Sequence, residues 1–258
     1  MAQFRRNPVN GQWVIINTED SWGPDKYEKP QQVLKQVSTC QFCPGKEHLT
    51  PVEVDSIRDP NSHDWKVRVV ANKFPALRIE GDLNLRKEGV FDLSNGVGAH
   101  EVIIESRDHS RNMADFKDEE VADVLKKYQS RLGDLSRDGR FKYVIIFKNY
   151  GESAGATLEH PHSQVIALPM VPKYVQEEID GTKYYEDKHG KCIFCEMVAQ
   201  EKAQKERIVA ENDKFIAFCP YVSRYPFESW ILPKEHGCQF YSIDAQGLLS
   251  FAKLLRET

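Results

Sequence analysis

The 258-residue sequence predicts an α+β fold made of two tandem units, each an antiparallel sheet with helices on one side. Three observations predict it. Short stretches rich in β-branched and aromatic residues outnumber stretches with helical spacing. The segment Glu101-Val102-Ile103-Ile104-Glu105-Ser106-Arg107-Asp108-His109 aligns with Glu228-Ser229-Trp230-Ile231-Leu232-Pro233-Lys234-Glu235-His236: a glutamate, an apolar strand, a polar turn, a histidine. Each copy also has a Cys-x-x-Cys pair upstream, Cys40/Cys43 and Cys192/Cys195.

The elements follow in order. Trp13 to Ile16, Val67 to Val70, Glu101 to Glu105, Tyr143 to Phe147 and Gln164 to Leu168 read as strands. Between Asp118 and Arg137, apolar Val121, Val124, Leu125, Tyr128, Leu132 and Leu135 keep helical spacing behind an acidic first turn. From Tyr174 to Gly190 the chain turns polar and charged, as suits solvated surface and a connection between units. Ser242-Ile243-Asp244 then opens a helical pattern with Leu248, Leu249, Ala252 and Leu255 on one face. The expected division is 1–172 for the first unit, 173–190 for the connection and 191–258 for the start of the second. By the first copy's spacing, the histidine motif closing the second unit would fall past Thr258, so that unit is expected to be incomplete at its C-terminus.

Composition narrows the function. A net charge of −4 argues against a nucleic-acid surface, which needs clustered positive charge. No apolar run approaches the ~18 residues of a membrane span, and Met1-Ala2-Gln3-Phe4-Arg5-Arg6 lacks the apolar core of a signal peptide. A cytoplasmic address is therefore the default, and the six cysteines should stay reduced.

In that setting each Cys-x-x-Cys is a redox pair, two core cysteines, or half of a zinc site. Zinc is favoured for Cys40/Cys43, because Gln41-Phe42 and Pro44-Gly45 resemble a zinc-knuckle turn and histidines are at hand. His109 and the run Glu159-His160-Pro161-His162-Ser163-Gln164 complete a tetrahedral ligand set with one imidazole to spare. Strand alternation would put His160 and His162 on one side, so the spare ring would stand beside a clamped one.

Arg6-Asn7-Pro8-Val9-Asn10-Gly11-Gln12-Trp13-Val14, Asn72-Lys73-Phe74-Pro75-Ala76, Asp108-His109, Asn149-Tyr150-Gly151 and His160-Pro161-His162-Ser163-Gln164 together resemble the galactose-1-phosphate uridylyltransferase family, a branch of the histidine-triad superfamily. The resemblance resumes at Pro220-Tyr221, Pro226-Phe227-Glu228 and Leu232 to His236. It implies two histidine-triad-like units and ping-pong transfer of UMP between UDP-glucose and a hexose 1-phosphate. His162 would be the nucleophile, and zinc would sit on Cys40, Cys43, His109 and His160. Gln164 stands where hydrolytic histidine-triad proteins carry another histidine. An amide donates hydrogen bonds but is a poor general acid, which favours transfer over hydrolysis. Asn72 is similar to a nucleotide-ribose contact. Asn149, Gly151, Gly155 and Thr157 are similar to a phosphate-facing loop, whose small residues admit an anion to backbone amides. The resemblance also implies a homodimer when the protein is full length.

Two departures stand out. Asp20 and Gly23 occupy positions where family members carry phosphate-binding arginines, and Lys26 is the cation nearest to replace them. The second Cys-x-x-Cys, Cys192/Cys195, together with His236 resembles the extra zinc set of ADP-glucose phosphorylase-like members, here with its fourth ligand missing. Uridylyl transfer is thus the leading expectation. Adenylyl transfer from ADP-glucose and a non-catalytic nucleotide-binding zinc module are the alternatives.

Overall fold

The computed structural model describes residues 2–17 and 39–258; Asp20, Gly23 and Lys26 lie outside the described residues. Contacts divide these residues into two compact units, one of residues 39–171 and 240–243, the other of residues up to 17, 172–239 and 244–258.

The first of these is organised by a five-stranded antiparallel sheet. Its strands are β3 (Glu53–Arg58), β4 (Trp65–Ala71), β7 (Ala99–Ile104), β8 (Tyr143–Phe147) and β9 (His162–Leu168), in the order β3-β4-β7-β9-β8. A two-stranded hairpin, β5 (Arg86–Glu88) with β6 (Phe91–Leu93), is set in the loop before β7. Helix α1 (Asp118–Leu135) lies on one face. It begins where Asp118, Glu119 and Glu120 complement the helix dipole and Glu120 accepts the Lys117 N–H at 2.7 Å. Its buried Val121, Val124 and Leu125 have the predicted spacing. Two polar ties, one buried and one part-buried, fix it to the sheet. Arg131 grips Glu101 of β7 with two bonds of 2.7 Å, and Lys127 donates to Asp55 of β3 at 2.8 Å.

In the other unit, β1 (Gln3–Arg6) and β2 (Trp13–Ile16) form a hairpin. The segment read as a connection is a helix, α2 (Lys173–His189), ended by Gly190 in the left-handed conformation. None of its residues is fully buried, which is why its sequence looks like solvated surface. Gly181 of α2 comes so close to the Val9 carbonyl that any β-carbon would overlap it. Helix α3 (Ile193–Gln204), strands β10 (Ile208–Glu211), β11 (Phe215–Phe218) and β12 (Trp230–Pro233), and helix α4 (Ala245–Glu257) complete the unit.

The expectation of helices on one side fails for this three-stranded sheet. Val198 of α3 packs on Ile216 and Phe218, whereas Phe251 of α4 meets Phe215 with ring centroids 5.2 Å apart. The physical reason lies in β11, whose four residues Phe215-Ile216-Ala217-Phe218 are all buried and apolar, so both faces demand cover. Among the described residues no helix is long and apolar enough to cross a membrane.

Candidate active site

Strand alternation splits β9 into two sides. Ser163, Val165 and Ala167 are buried beneath α1, while His162, Gln164, Ile166 and Leu168 are half-buried on the opposite face. Register places Ile104 across from His162, Val102 across from Gln164 and His100 across from Ile166, so these side chains share that face.

Against it packs the loop of the first cysteine pair. Cys40, Phe42 and Cys43 are buried with Trp65, Val70, Val102 and Ile104. The donor atoms of Cys40, Cys43, His109 and His160 all lie within 4.8 Å of one another, and all four residues are buried. Nδ1 of His109 is 3.5 Å and Nδ1 of His160 is 3.7 Å from Cys43 Sγ. His160 donates from Nε2 to the Ser106 carbonyl at 2.7 Å, which leaves Nδ1 as the lone-pair nitrogen. His109 Nε2 is buried without a hydrogen-bond partner, 4.0 Å from the Glu159 carboxylate. Burial, then the neighbouring Cys40, pushes the Cys43 thiol up to about 11. Two thiols crowded in a dry pocket with two lone-pair nitrogens fit a tetrahedral cation, whose charge would favour the thiolates.

His160 is not in the strand, contrary to expectation. Pro161 has no N–H to join the ladder, so β9 starts at His162 and His160 sits in the preceding bend. The two rings nonetheless share a neighbour. Phe42 packs edge-on to both, with centroids 6.1 Å from His160 and 5.4 Å from His162.

His162 donates from Nδ1 to the His160 carbonyl at 2.8 Å, so its Nε2 carries the free lone pair. Burial first, and the nearby Lys148 ammonium second, hold its pKa below the usual 6.5, against the pull of the His160 carbonyl and Glu105. The ring is therefore a neutral imidazole at pH 7. Beneath it on the helix side, the fully buried Glu105 accepts from Ser163, from Tyr128 of α1 at 3.1 Å and from Lys148 at 2.5 Å. Lys148 also reaches the His162 carbonyl at 3.3 Å.

Gln164 Oε1 lies 2.8 Å from His100 Nε2 and 3.3 Å from Asn72 Nδ2, while Asn72 Oδ1 accepts the Phe74 N–H at 2.9 Å. The loop of Asn149, Gly151, Gly155 and Thr157 leaves the sheet just past Phe147, which pairs with Gln164. Gly151 and Gly155 both have φ of 80°, which suits glycine. Asn149 and Thr157 are exposed. The second set, Cys192, Cys195 and His236, also converges, with Cys195 Sγ 3.3 Å from His236 Nδ1, but it is more exposed and has three members among the described residues.

Sequence reasoning missed Phe42, His100, Glu105 and Lys148 as parts of this site. His100 was within reach: counting back by twos from Ile104 puts it on the Gln164 face. The roles of Glu105 and Lys148 depend on cross-strand register, which carries no local signal.

The fold and site define an α+β protein in which a Cys2His2 cluster stands beside an imidazole with one free nitrogen. The chain matches the family description "Galactose-1-phosphate uridyl transferase, N-terminal domain" over residues 1–172 and the C-terminal domain of the same family over 178–256. It belongs to the galactose-1-phosphate uridylyltransferase family. It is 35% identical to an ADP-glucose phosphorylase of Arabidopsis thaliana, over 98% of this chain and 72% of that protein. It is 30% identical to a galactose-1-phosphate uridylyltransferase of Thermotoga maritima, over 99% of this chain and 74% of that one. A crystal structure of an Arabidopsis thaliana ADP-glucose phosphorylase with bound ADP-glucose superposes with a TM-score of 0.79 at 30% identity, over 99% of this chain and 75% of that one.

Proposed function

We propose that the protein moves UMP between UDP-glucose and a hexose 1-phosphate through a covalent nucleotidyl-histidine on His162. The supporting observation is the 2.8 Å bond from His162 Nδ1 to the His160 carbonyl, which aims a neutral Nε2 lone pair away from the strand. In this reading Nε2 attacks the α-phosphorus, an N–P bond forms, and the P–O bond to hexose 1-phosphate breaks, that group leaving with the electron pair. A phosphate oxygen of an incoming hexose 1-phosphate then attacks the same phosphorus and restores the imidazole. Gln164 donates its amide N–H to a non-bridging oxygen as charge builds there. Asn72 is assigned to the nucleotide, and the loop of Asn149, Gly151, Gly155 and Thr157 to the phosphates.

The cluster of Cys40, Cys43, His109 and His160 would hold zinc, which supplies rigidity to the carbonyl that orients His162. Cys192, Cys195 and His236 would hold a second ion as part of a second histidine-triad-like unit.

Adenylyl transfer from ADP-glucose is the second reading, favoured by the 35% identity to the Arabidopsis enzyme and by the second cysteine cluster. The test is to incubate zinc-loaded protein with UDP-glucose or ADP-glucose labelled in the α-phosphate and quench. Label on His162 from UDP-glucose, absent in His162→Ala, supports the first reading, and label from ADP-glucose alone supports the second. Binding of both sugars without label would leave a non-catalytic module and sink both.

A further inference from the structure

The hydrogen bonds around Gln164 form a chain with a fixed direction. The Ala76 backbone N–H donates to His100 Nδ1 at 3.0 Å. A backbone amide cannot reverse its polarity, so that nitrogen must be unprotonated and the ring proton must sit on Nε2. Nε2–H then points at Gln164 Oε1, 2.8 Å away. Asn72 has its own oxygen committed to the Phe74 N–H, so it too can offer that atom only an N–H, at 3.3 Å. Asn72 Nδ2 and His100 Nε2 are 3.0 Å apart because two donors converge on one oxygen. Flipping the Gln164 carboxamide would set its NH2 against both donors and leave them unsatisfied in a half-buried site. The oxygen is thus tied back, and the NH2 is what the side chain has left to offer on the His162 face.

We propose that His100 is a positioning residue: keyed by the Ala76 N–H, it holds the Gln164 carboxamide so that its NH2, and not its oxygen, meets the phosphoryl oxygens of a nucleotidyl group on His162. The inference rests on the reading of His162 as nucleophile. A glutamine free to flip would present a partial negative charge to an anionic phosphoryl group half the time, and the backbone-keyed histidine removes that state. His100 itself touches no reacting atom and acts through Gln164.

The test has a kinetic and a spectroscopic arm. His100→Ala is expected to lower kcat for nucleotidyl transfer ~10-fold or more with KM changed little, since a donor to developing phosphoryl charge acts mainly in the transition state. His100→Gln, which keeps volume and an N–H donor and guards against a folding defect, should stay within ~5-fold of wild type. The double variant His100→Ala/Gln164→Ala should be no slower than Gln164→Ala alone, because the histidine has nothing left to orient. Losses that simply multiply, or a His100→Ala effect confined to KM, overturn the proposal.

Independently of turnover, nitrogen-15 NMR of the histidine-labelled protein should show His100 with Nδ1 bare and Nε2 protonated, and the Nε2–H signal should move in Gln164→Ala. A proton on Nδ1 overturns the proposal even if the enzyme is active. If wild type transfers no nucleotide from any sugar tested, the nucleophile reading and the catalytic use of the amide fall together, and the NMR arm alone then decides the orientation.

Discussion

Replacing Arg131 with methionine tests whether α1 is held to the sheet by a buried ion pair or by apolar contact alone. The guanidinium meets Glu101 through two bonds of 2.7 Å, and the two side chains are 7% and 8% exposed, so solvent screening is weak. Methionine keeps most of the apolar stem and strands the carboxylate. Breaking one partner of such a pair costs about 3–5 kcal/mol. Coulomb's law gives a similar figure, about 4 kcal/mol for charges about 4 Å apart at an effective dielectric near 20. The double variant Arg131→Met/Glu101→Met should recover about 2 kcal/mol or more of that loss, since no charge is left unpaired. The chain divides into two compact units, so bulk unfolding signals mix them, and amide hydrogen exchange in β7 and β9 is the measurement to use. A fall in protection below about 1 kcal/mol for Arg131→Met, or a double variant less protected than the single one, would refute the reasoning.

Gly181→Ala should destabilise by about 2 kcal/mol or more because the new methyl strikes the Val9 carbonyl, although helix propensity alone favours alanine by about 1 kcal/mol; a rise in amide hydrogen-exchange protection along α2 contradicts this. The Glu120 carboxyl is held at about 2 by its bonds to Arg111, against an ordinary 4.5. Its contribution is therefore complete above pH 4.5 and lost as pH falls toward 2. With 43% of the side chain exposed it is worth about 1 kcal/mol at most, so the stability gap between wild type and Glu120→Gln should close across that window. Elemental analysis should find zinc at the buried cluster in wild type and not in Cys43→Ser, while Cys195→Ser leaves that ion in place. A chelator should strip the more exposed three-member cluster first.

What could be read from the sequence was local. The helical spacing from Val121 to Leu135 reports a stripe that α1 does bury, and Asp244 caps α4 by accepting the Gly247 N–H, as its position before the apolar pattern suggests. In α4, though, Leu254 is buried and Leu255 only half so, since the helix packs through a wider stripe than four leucine and alanine positions describe. The four residues Cys40, Cys43, His109 and His160 were legible because ligand chemistry restricts residue type so tightly. Helix α2 was not, because it buries no side chain fully and so shows no strong apolar period. The placement of His160 turned on a single atom, the N–H that Pro161 lacks. The His100, Gln164 and Asn72 network was illegible for another reason. It joins the loop after β4 to β7 and β9, and partners on separate segments leave no trace in spacing along any one of them.

The twofold repeat of β9 separates the work of holding the strand from the work of presenting chemistry. Ser163 faces α1, where Glu105, Tyr128 and Lys148 bind it into a buried polar knot; His162 and Gln164, one residue to either side, face the other way. Neither face can shift without the other, since a slip of one residue would carry Ser163 to the imidazole side and His162 under the helix. The knot is also an electrostatic fixture. Lys148 contacts both the Glu105 carboxylate and the His162 carbonyl, so the positive charge that disfavours imidazolium is itself partly offset by a buried negative one. Removing Lys148 would leave Glu105 buried with only hydroxyl partners, and its charge would then draw a proton toward His162. A nucleophilic imidazole needs its lone pair free and its ring neutral at the same pH. The backbone carbonyl of His160 secures the first condition, and the Lys148 ammonium, acting through the strand from its far side and against the opposing pull of Glu105, contributes to the second.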